Sequence, residues 1–102
     1  MKEVSYHEVQ KLLNDPASFH GLFIYTPLCG TCKAAERMLM VIEQIKPELR
    51  LYKCDVNLMP QLAEQWRIQS VPCLLVFSEG RLIHRIYAMR SVQDLLQHLS
   101  QS

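Results

Sequence analysis

Cys29-Gly30-Thr31-Cys32 places two thiols with two residues separating them, between a short apolar run and an amphipathic stretch. That pattern suits reversible dithiol–disulfide exchange. One thiolate attacks a disulfide, and a second thiol within reach attacks the mixed disulfide and releases the reduced product. A helix beginning at or near Cys29 would offer unpaired N–H groups and a dipole that favour negative charge there. Such positions lower a thiol pKa from about 8.5 by one to several units. Cys29 is then expected to be the exposed nucleophile, and Cys32, one turn further in, the resolving thiol. Gly30 and Thr31 fit a tight passage from loop to helix. Lys33 adds a positive charge that reads equally as a tuning group and as a solvated helix residue.

Such a pair needs elements that hold it. Ser5-Tyr6-His7-Glu8 has the hydroxyl-to-carboxylate spacing of a capping box, and Tyr6, Val9, Leu12 and Leu13 follow at helical intervals before Asn14-Asp15-Pro16 stops the helix. Leu22-Phe23-Ile24-Tyr25 is a continuous apolar run, as in a strand buried on both faces. Beyond the cysteines, Ala35, Met38, Leu39, Ile42 and Ile45 trace one apolar helix face that ends at Pro47. Leu49 to Val56 reads as a second strand, with Leu51, Cys54 and Val56 inward. A shorter helix carries Met59, Leu62, Ala63 and Trp66 on one face. Cys73 to Phe77 and Leu82 to Tyr87 flank a Glu79-Gly80 turn and predict a hairpin. Val92, Leu95, Leu96 and Leu99 predict a last helix. The order is helix, strand, helix, strand, helix, strand, strand, helix. The first two strands, joined through a helix, imply a parallel βαβ unit with a right-handed crossover.

The chain has 102 residues, 49% of them hydrophobic, and a net charge of +1. That size suits one domain spanning residues 1–102, with a core that needs no disulfide staples. The dispersed basic residues point away from a nucleic-acid partner. No stretch reaches the roughly 20 apolar residues of a membrane helix, and the start has no signal-peptide pattern. The expected location is the cytoplasm. There a close cysteine pair reads as catalytic or metal-binding rather than as a staple. His7, His20, His84 and His98 share no ligand spacing and read as surface residues. Trp66 reads as core or groove edge.

Over almost its whole length the chain resembles the thioredoxin family. The matching pieces are the strand Leu22–Tyr25, Cys29-Gly30-Thr31-Cys32-Lys33, Lys53-Cys54-Asp55-Val56, the segment Ile68-Gln69-Ser70-Val71-Pro72, and the Glu79-Gly80 hairpin. The resemblance implies an α/β thioredoxin fold: a central mixed sheet of four or five strands flanked by four helices. It implies a redox disulfide between Cys29 and Cys32, a cis Pro72 beside it, and a Val71 backbone that hydrogen-bonds an extended substrate. Leu28, Pro27 and Tyr25 would form an apolar rim. The implied partners are protein disulfides and an upstream thiol reductase of the thioredoxin reductase kind, with the protein a monomer.

The departures are specific. Leu28 stands where the family usually has Trp, and Thr31 where it has Pro. Replacing that proline relaxes the backbone and frees an N–H, so a more oxidising couple is expected. Phe23 stands where the family has a buried Asp that moves protons for the second cysteine. Lys53, the usual partner of that Asp, is left without its mate, and slower resolution by Cys32 is expected. Water, Glu36 or a substrate group could serve as proton acceptor instead, although the position of Glu36 reads as helix surface. Asp55 reads as a hydrogen-bonding residue at a strand end. Cys73, where the family has Thr, should open a central strand close to the pair. It reads equally as a small buried hydrophobe and as a third redox thiol or soft-metal ligand. A closed zinc site wants four ligands, and Cys54 is expected to point into the core, so neither a metal nor an organic cofactor is expected. The competing readings are a thioredoxin-like binding or adaptor module with weak or no redox activity, and a soft-metal-binding thiol protein.

Overall fold

The computed structural model describes residues 1–16 and 19–99. Ser5 caps the first helix as its sequence requires. Its Oγ accepts the Glu8 N–H at 3.2 Å, and Glu8 Oε1 accepts the Ser5 N–H at 3.1 Å. The elements are β1 (Lys2–Glu3), α1 (Tyr6–Leu13), β2 (Phe19–Tyr25), α2 (Gly30–Ile45), β3 (Arg50–Asp55), a 3₁₀ turn (Val56–Leu58), α3 (Pro60–Gln65), β4 (Cys73–Ser78), β5 (Arg81–Ile86) and α4 (Val92–Leu99). The sheet has five strands in the order β1-β3-β2-β4-β5. β2 runs parallel to β3 and antiparallel to β4, which forms an antiparallel pair with β5. The expected mixed sheet with four flanking helices is therefore present, and β1 supplies its fifth strand, parallel to β3.

Residues alternate across the sheet, so each strand feeds two cores. Phe23, Leu74 and Val76 face α2 and α4, where they meet Cys32, Leu39 and Leu95. Leu22, Ile24, Leu75 and Phe77 face α1 and α3, where they meet Val9 and Leu62. Gly21 lies where a Cβ would come within 2.7 Å of Leu51 Cδ2. The β4–β5 turn places Glu79 at φ 54° and Gly80 at φ 78°. Two successive left-handed residues are the geometry of a two-residue hairpin loop.

Some expectations at element ends need correction. Val56 lies in the 3₁₀ turn and is half-buried rather than an inward strand residue, because Asp55 Oδ1 accepts the Asn57 N–H at 2.9 Å and turns the chain. Met59 is the N-cap of α3, not a helix-face residue. His20 is only 1% exposed. It shares a face with Leu22 and Ile24 and stacks on Phe77 at 5.1 Å between ring centroids. Burial lowers its pKa, against a smaller upward pull from Asp15. His84 is half-buried. Trp66 caps the end of α3 and packs edge-on against Phe77 at 5.2 Å.

Ile45, expected on the apolar face of α2, is 51% exposed, whereas Leu39 is fully buried. The two positions should respond differently to truncation. Leu39→Ala should lower the unfolding free energy by about 2–5 kcal/mol, and Ile45→Ala should change it by about 0.5 kcal/mol or less. Urea titration of both variants checks this. Equal losses would mean that α2 does not seat on the sheet through Leu39.

Candidate active site

β2 ends at Tyr25, and the chain turns through Thr26 to Leu28 before α2 begins. The Cys29 N–H reaches the Thr26 carbonyl at 3.3 Å. Cys29 is the N-cap of α2, with extended backbone at φ −90° and ψ 112°. An N-cap normally offers a side-chain oxygen to the first free N–H groups. Here a sulfur does so: Cys29 Sγ accepts the Cys32 N–H at 3.1 Å. Cys29 and Cys32 are joined as a disulfide with a Cα–Cα distance of 5.2 Å. The two are unequal in access. Cys29 is half-buried, whereas Cys32 is 2% exposed and belongs to the core under α2.

Leu28, beside Cys29, is 99% exposed. Pro27 is also exposed, and Tyr25 is half-buried. The Val71–Pro72 peptide is cis, and both residues are half-buried. Pro72 lines a concavity of about 350 Å³ together with Thr31, Ala34, Ala35, Tyr87 and Met89. Leu28 and Val71 are not part of that lining. Tyr87 and Met89 escaped the sequence reading, since only the register of β5 against β4, Leu74 opposite Ile86, brings them beside Pro72. A Cβ on Gly30 would meet nothing within 4 Å. The fold therefore does not demand glycine there, and the space beside Cys29 is open to an approaching chain.

Phe23 is fully buried in the same core as Cys32, so an apolar ring occupies the place of an acid. Lys53 is nevertheless not without a mate. Its Nζ donates to Glu36 Oε2 at 2.9 Å, and the two side chains are 25% and 30% exposed. Glu36 is thus a half-buried residue that bridges α2 to β3, not a free surface carboxylate. It lies four residues after Cys32, on the adjoining helical turn. Lys53 Nζ also stands 5.8 Å from the centroid of the Tyr25 ring. Tyr25 donates its hydroxyl to Glu3 Oε1 at 2.7 Å. Burial raises the Tyr25 pKa, with Glu3, Asp55 and Glu36 adding to the effect. Lys33 is exposed.

Cys73 opens β4 as expected, but its side chain is not beside the pair. It lies in the core on the α1/α3 face, whereas Cys32 lies in the core on the α2/α4 face. The sheet separates them, so Cys29, Cys32 and Cys73 cannot share a metal. Among the described residues no group of three or more His, Cys, Asp or Glu is placed to hold one. Burial pushes the Cys73 thiol up to about 11, against weaker downward pulls from Arg85 and the Tyr87 hydroxyl. Cys54 is also buried on that face, and burial, with Glu3 and Asp55, pushes its thiol up to about 12. Both thiols are neutral near pH 7 and lack the exposed thiolate that reactivity needs.

A parallel strand pair feeding a helix capped by a cysteine pair, with a cis proline alongside, defines a thioredoxin-type fold. The thioredoxin family profile matches residues 1–101, and the chain belongs to the thioredoxin family. It is 39% identical over 101 residues to the thioredoxin-like protein YusE of Bacillus subtilis, covering 99% of this chain and 92% of that one. It is 32% identical over 91 residues to mitochondrial thioredoxin-3 of Saccharomyces cerevisiae, covering 80% of this chain and 71% of that one. The crystal structure of mitochondrial thioredoxin 3 from the same yeast, in its oxidized form, superposes with a TM-score of 0.86 at 22% identity, covering 100% and 95% of the two chains. Thioredoxin from Trypanosoma brucei brucei superposes with a TM-score of 0.85 at 18% identity, covering 97% and 87%. Family, fold and cysteine pair together support thiol–disulfide oxidoreductase chemistry at the level of the family. Among the described residues no helix is long and apolar enough to cross a membrane.

Proposed function

We propose that this protein reduces or exchanges protein disulfides, with Cys29 as the nucleophile and Cys32 as the resolving thiol. The observation that carries the reading is the unequal access of the two sulfurs. Cys29 is half-open at the helix N-cap, and Cys32 is buried one turn behind it. The Cys29 thiolate attacks one sulfur of a substrate disulfide and forms a mixed disulfide, and the departing substrate thiolate takes a proton. The Cys32 thiol, losing its proton, then attacks Cys29 Sγ. The second substrate thiolate leaves, and the Cys29–Cys32 disulfide forms. Two electrons pass from the protein dithiol to the substrate, and an upstream dithiol reductant restores the pair. The groove walled by Pro72, Tyr87 and Met89 would take the substrate chain, with the Val71 backbone and the exposed Leu28 on its approach. The reading extends to a cytoplasmic, monomeric protein of one domain, in keeping with a sheet covered on both faces by its own helices.

The test is reduction of insulin disulfides with dithiothreitol as the electron source. The wild-type protein should accelerate precipitation of the insulin B chain. A Cys32→Ser variant should accumulate as a mixed disulfide with an unfolded, disulfide-bearing protein. An inert wild type that forms no such adduct would replace this reading with that of a binding module.

A further inference from the structure

We infer that the Thr31 hydroxyl is part of the reacting group: it donates a hydrogen bond to Cys29 Sγ and stabilises the Cys29 thiolate. The inference rests on the reading of Cys29 as nucleophile and goes beyond it to a residue that sets the charge state of the attacking sulfur.

The geometry is direct. Thr31 Oγ1 lies 3.2 Å from Cys29 Sγ. In the disulfide this sulfur carries no proton, so the hydroxyl is the donor. The same sulfur accepts the Cys32 N–H at 3.1 Å, and the two donors converge on one atom. Local structure makes this contact available. Cys29 is the N-cap of α2 and Gly30 its first residue, so Thr31 is the second. Helical Cα–Cβ bonds tilt towards the N-terminus, which aims the Thr31 side chain back at the cap. Gly30 between them brings no side chain into the space.

A hydrogen bond to a charged acceptor is roughly twice as strong as one to a neutral acceptor. The hydroxyl therefore favours the thiolate over both the protonated thiol and the disulfide. Hydrogen bonding to the charged form lowers a group's pKa, and Thr31 raises the fraction of Cys29 ready to attack at neutral pH. Reduction of the pair takes two electrons and, with Cys29 left ionised, one proton, which goes to Cys32. The hydroxyl stabilises that reduced state and so makes the couple more oxidising. A residue without a side-chain donor at this position could not supply this effect. The sequence shows a Thr between the cysteines; only the rotamer shows that its oxygen meets the sulfur.

The experiment is iodoacetamide alkylation of the reduced protein from mildly acidic to mildly alkaline pH, with the wild type, Thr31→Val and Thr31→Ser. Valine keeps the branched shape at an exposed helix position and removes only the donor. Thr31→Val should hold about fivefold less thiolate on the acidic limb, the equivalent of one hydrogen bond of about 1 kcal/mol. It should alkylate about two- to threefold more slowly there, because its less stabilised thiolate is the stronger nucleophile. On the alkaline plateau, where Cys29 is ionised in both proteins, it should match or exceed the wild-type rate. Thr31→Ser should keep the wild-type profile. Superimposable profiles for Thr31→Val and wild type would overturn the role of the hydroxyl and leave Cys29 as nucleophile. A wild-type Cys29 that resists alkylation across the whole range would instead remove the nucleophile reading itself.

Discussion

Cys29→Ser protein should reduce insulin no faster than dithiothreitol alone. The loss is complete because no other sulfur can take over. Cys32 is 2% exposed, and Cys54 and Cys73 are fully enclosed. Attack on a protein disulfide requires a thiolate in line with the S–S bond, which a sulfur under α2 cannot present to a second protein. The two remaining thiols are also held neutral, with pKa values raised to about 12 for Cys54 and about 11 for Cys73. Cys32→Ser should differ in kind. It should retain the first attack, lose turnover, and be recovered as a covalent adduct that dithiothreitol releases. Mass spectrometry after brief alkylation of the folded, reduced wild type should find the label on Cys29 and not on Cys54 or Cys73. Persistent catalysis by Cys29→Ser would place the nucleophile elsewhere.

The layout of the fold was legible because burial imposes period. Strands buried on both faces must be apolar throughout, as in Leu22–Ile24 and Cys73–Phe77, and helices seated on a sheet must repeat their apolar residues every turn. β1 has two exposed residues, too few to show any period. His20 could have been placed by parity, since it alternates with Leu22 and Ile24. The polar neighbourhood of the pair was less legible. Lys53 is recognisable as a residue that needs a counter-charge, but its partner lies 17 positions away on another element, and strand pattern does not reveal which helix face crosses above it. Cys73 shows the same limit. Alternation fixes Cys73, Leu75 and Phe77 on one face. It is the pairing of Ile24 with Cys73 and of Phe23 with Leu74 that says the cysteine pair lies on the other. The fold follows from patterns within segments, whereas the tuning of the site follows from registers between them.

Phe23→Asp tests that polar rearrangement and should cost stability heavily. Phe23 has no exposed surface and sits in the core with Cys32. Its ring stacks near that of Tyr25, with centroids 6.0 Å apart. Truncating a buried phenyl costs about 3–5 kcal/mol, and burying a carboxyl adds to that. The expected loss is about 4 kcal/mol or more, a large part of the roughly 5–15 kcal/mol that holds a domain folded. Phe23→Leu, which keeps the site apolar and leaves only a small cavity, should lose much less, about 1–2 kcal/mol. The pH dependence carries the sharper information. With Lys53 held by Glu36, the new carboxyl has no counter-charge, and burial raises its folded pKa above the unfolded value of about 3.9. The native state then binds more protons than the unfolded state, so the penalty relative to wild type should grow as pH rises from about 4 up to the raised folded pKa. Lys53 is the register partner of position 23 on β3 and is close enough to change allegiance. If it left Glu36 for the new carboxylate, the folded pKa would fall below the unfolded value, and the penalty would instead shrink as pH rises towards about 4. Urea titrations of the variant and wild type at acidic and neutral pH read the sign directly. A growing penalty identifies Glu36–Lys53 as a bridge that the core substitution does not disturb. A shrinking penalty would show that the lysine pairs with Glu36 because Phe23 offers it no charge.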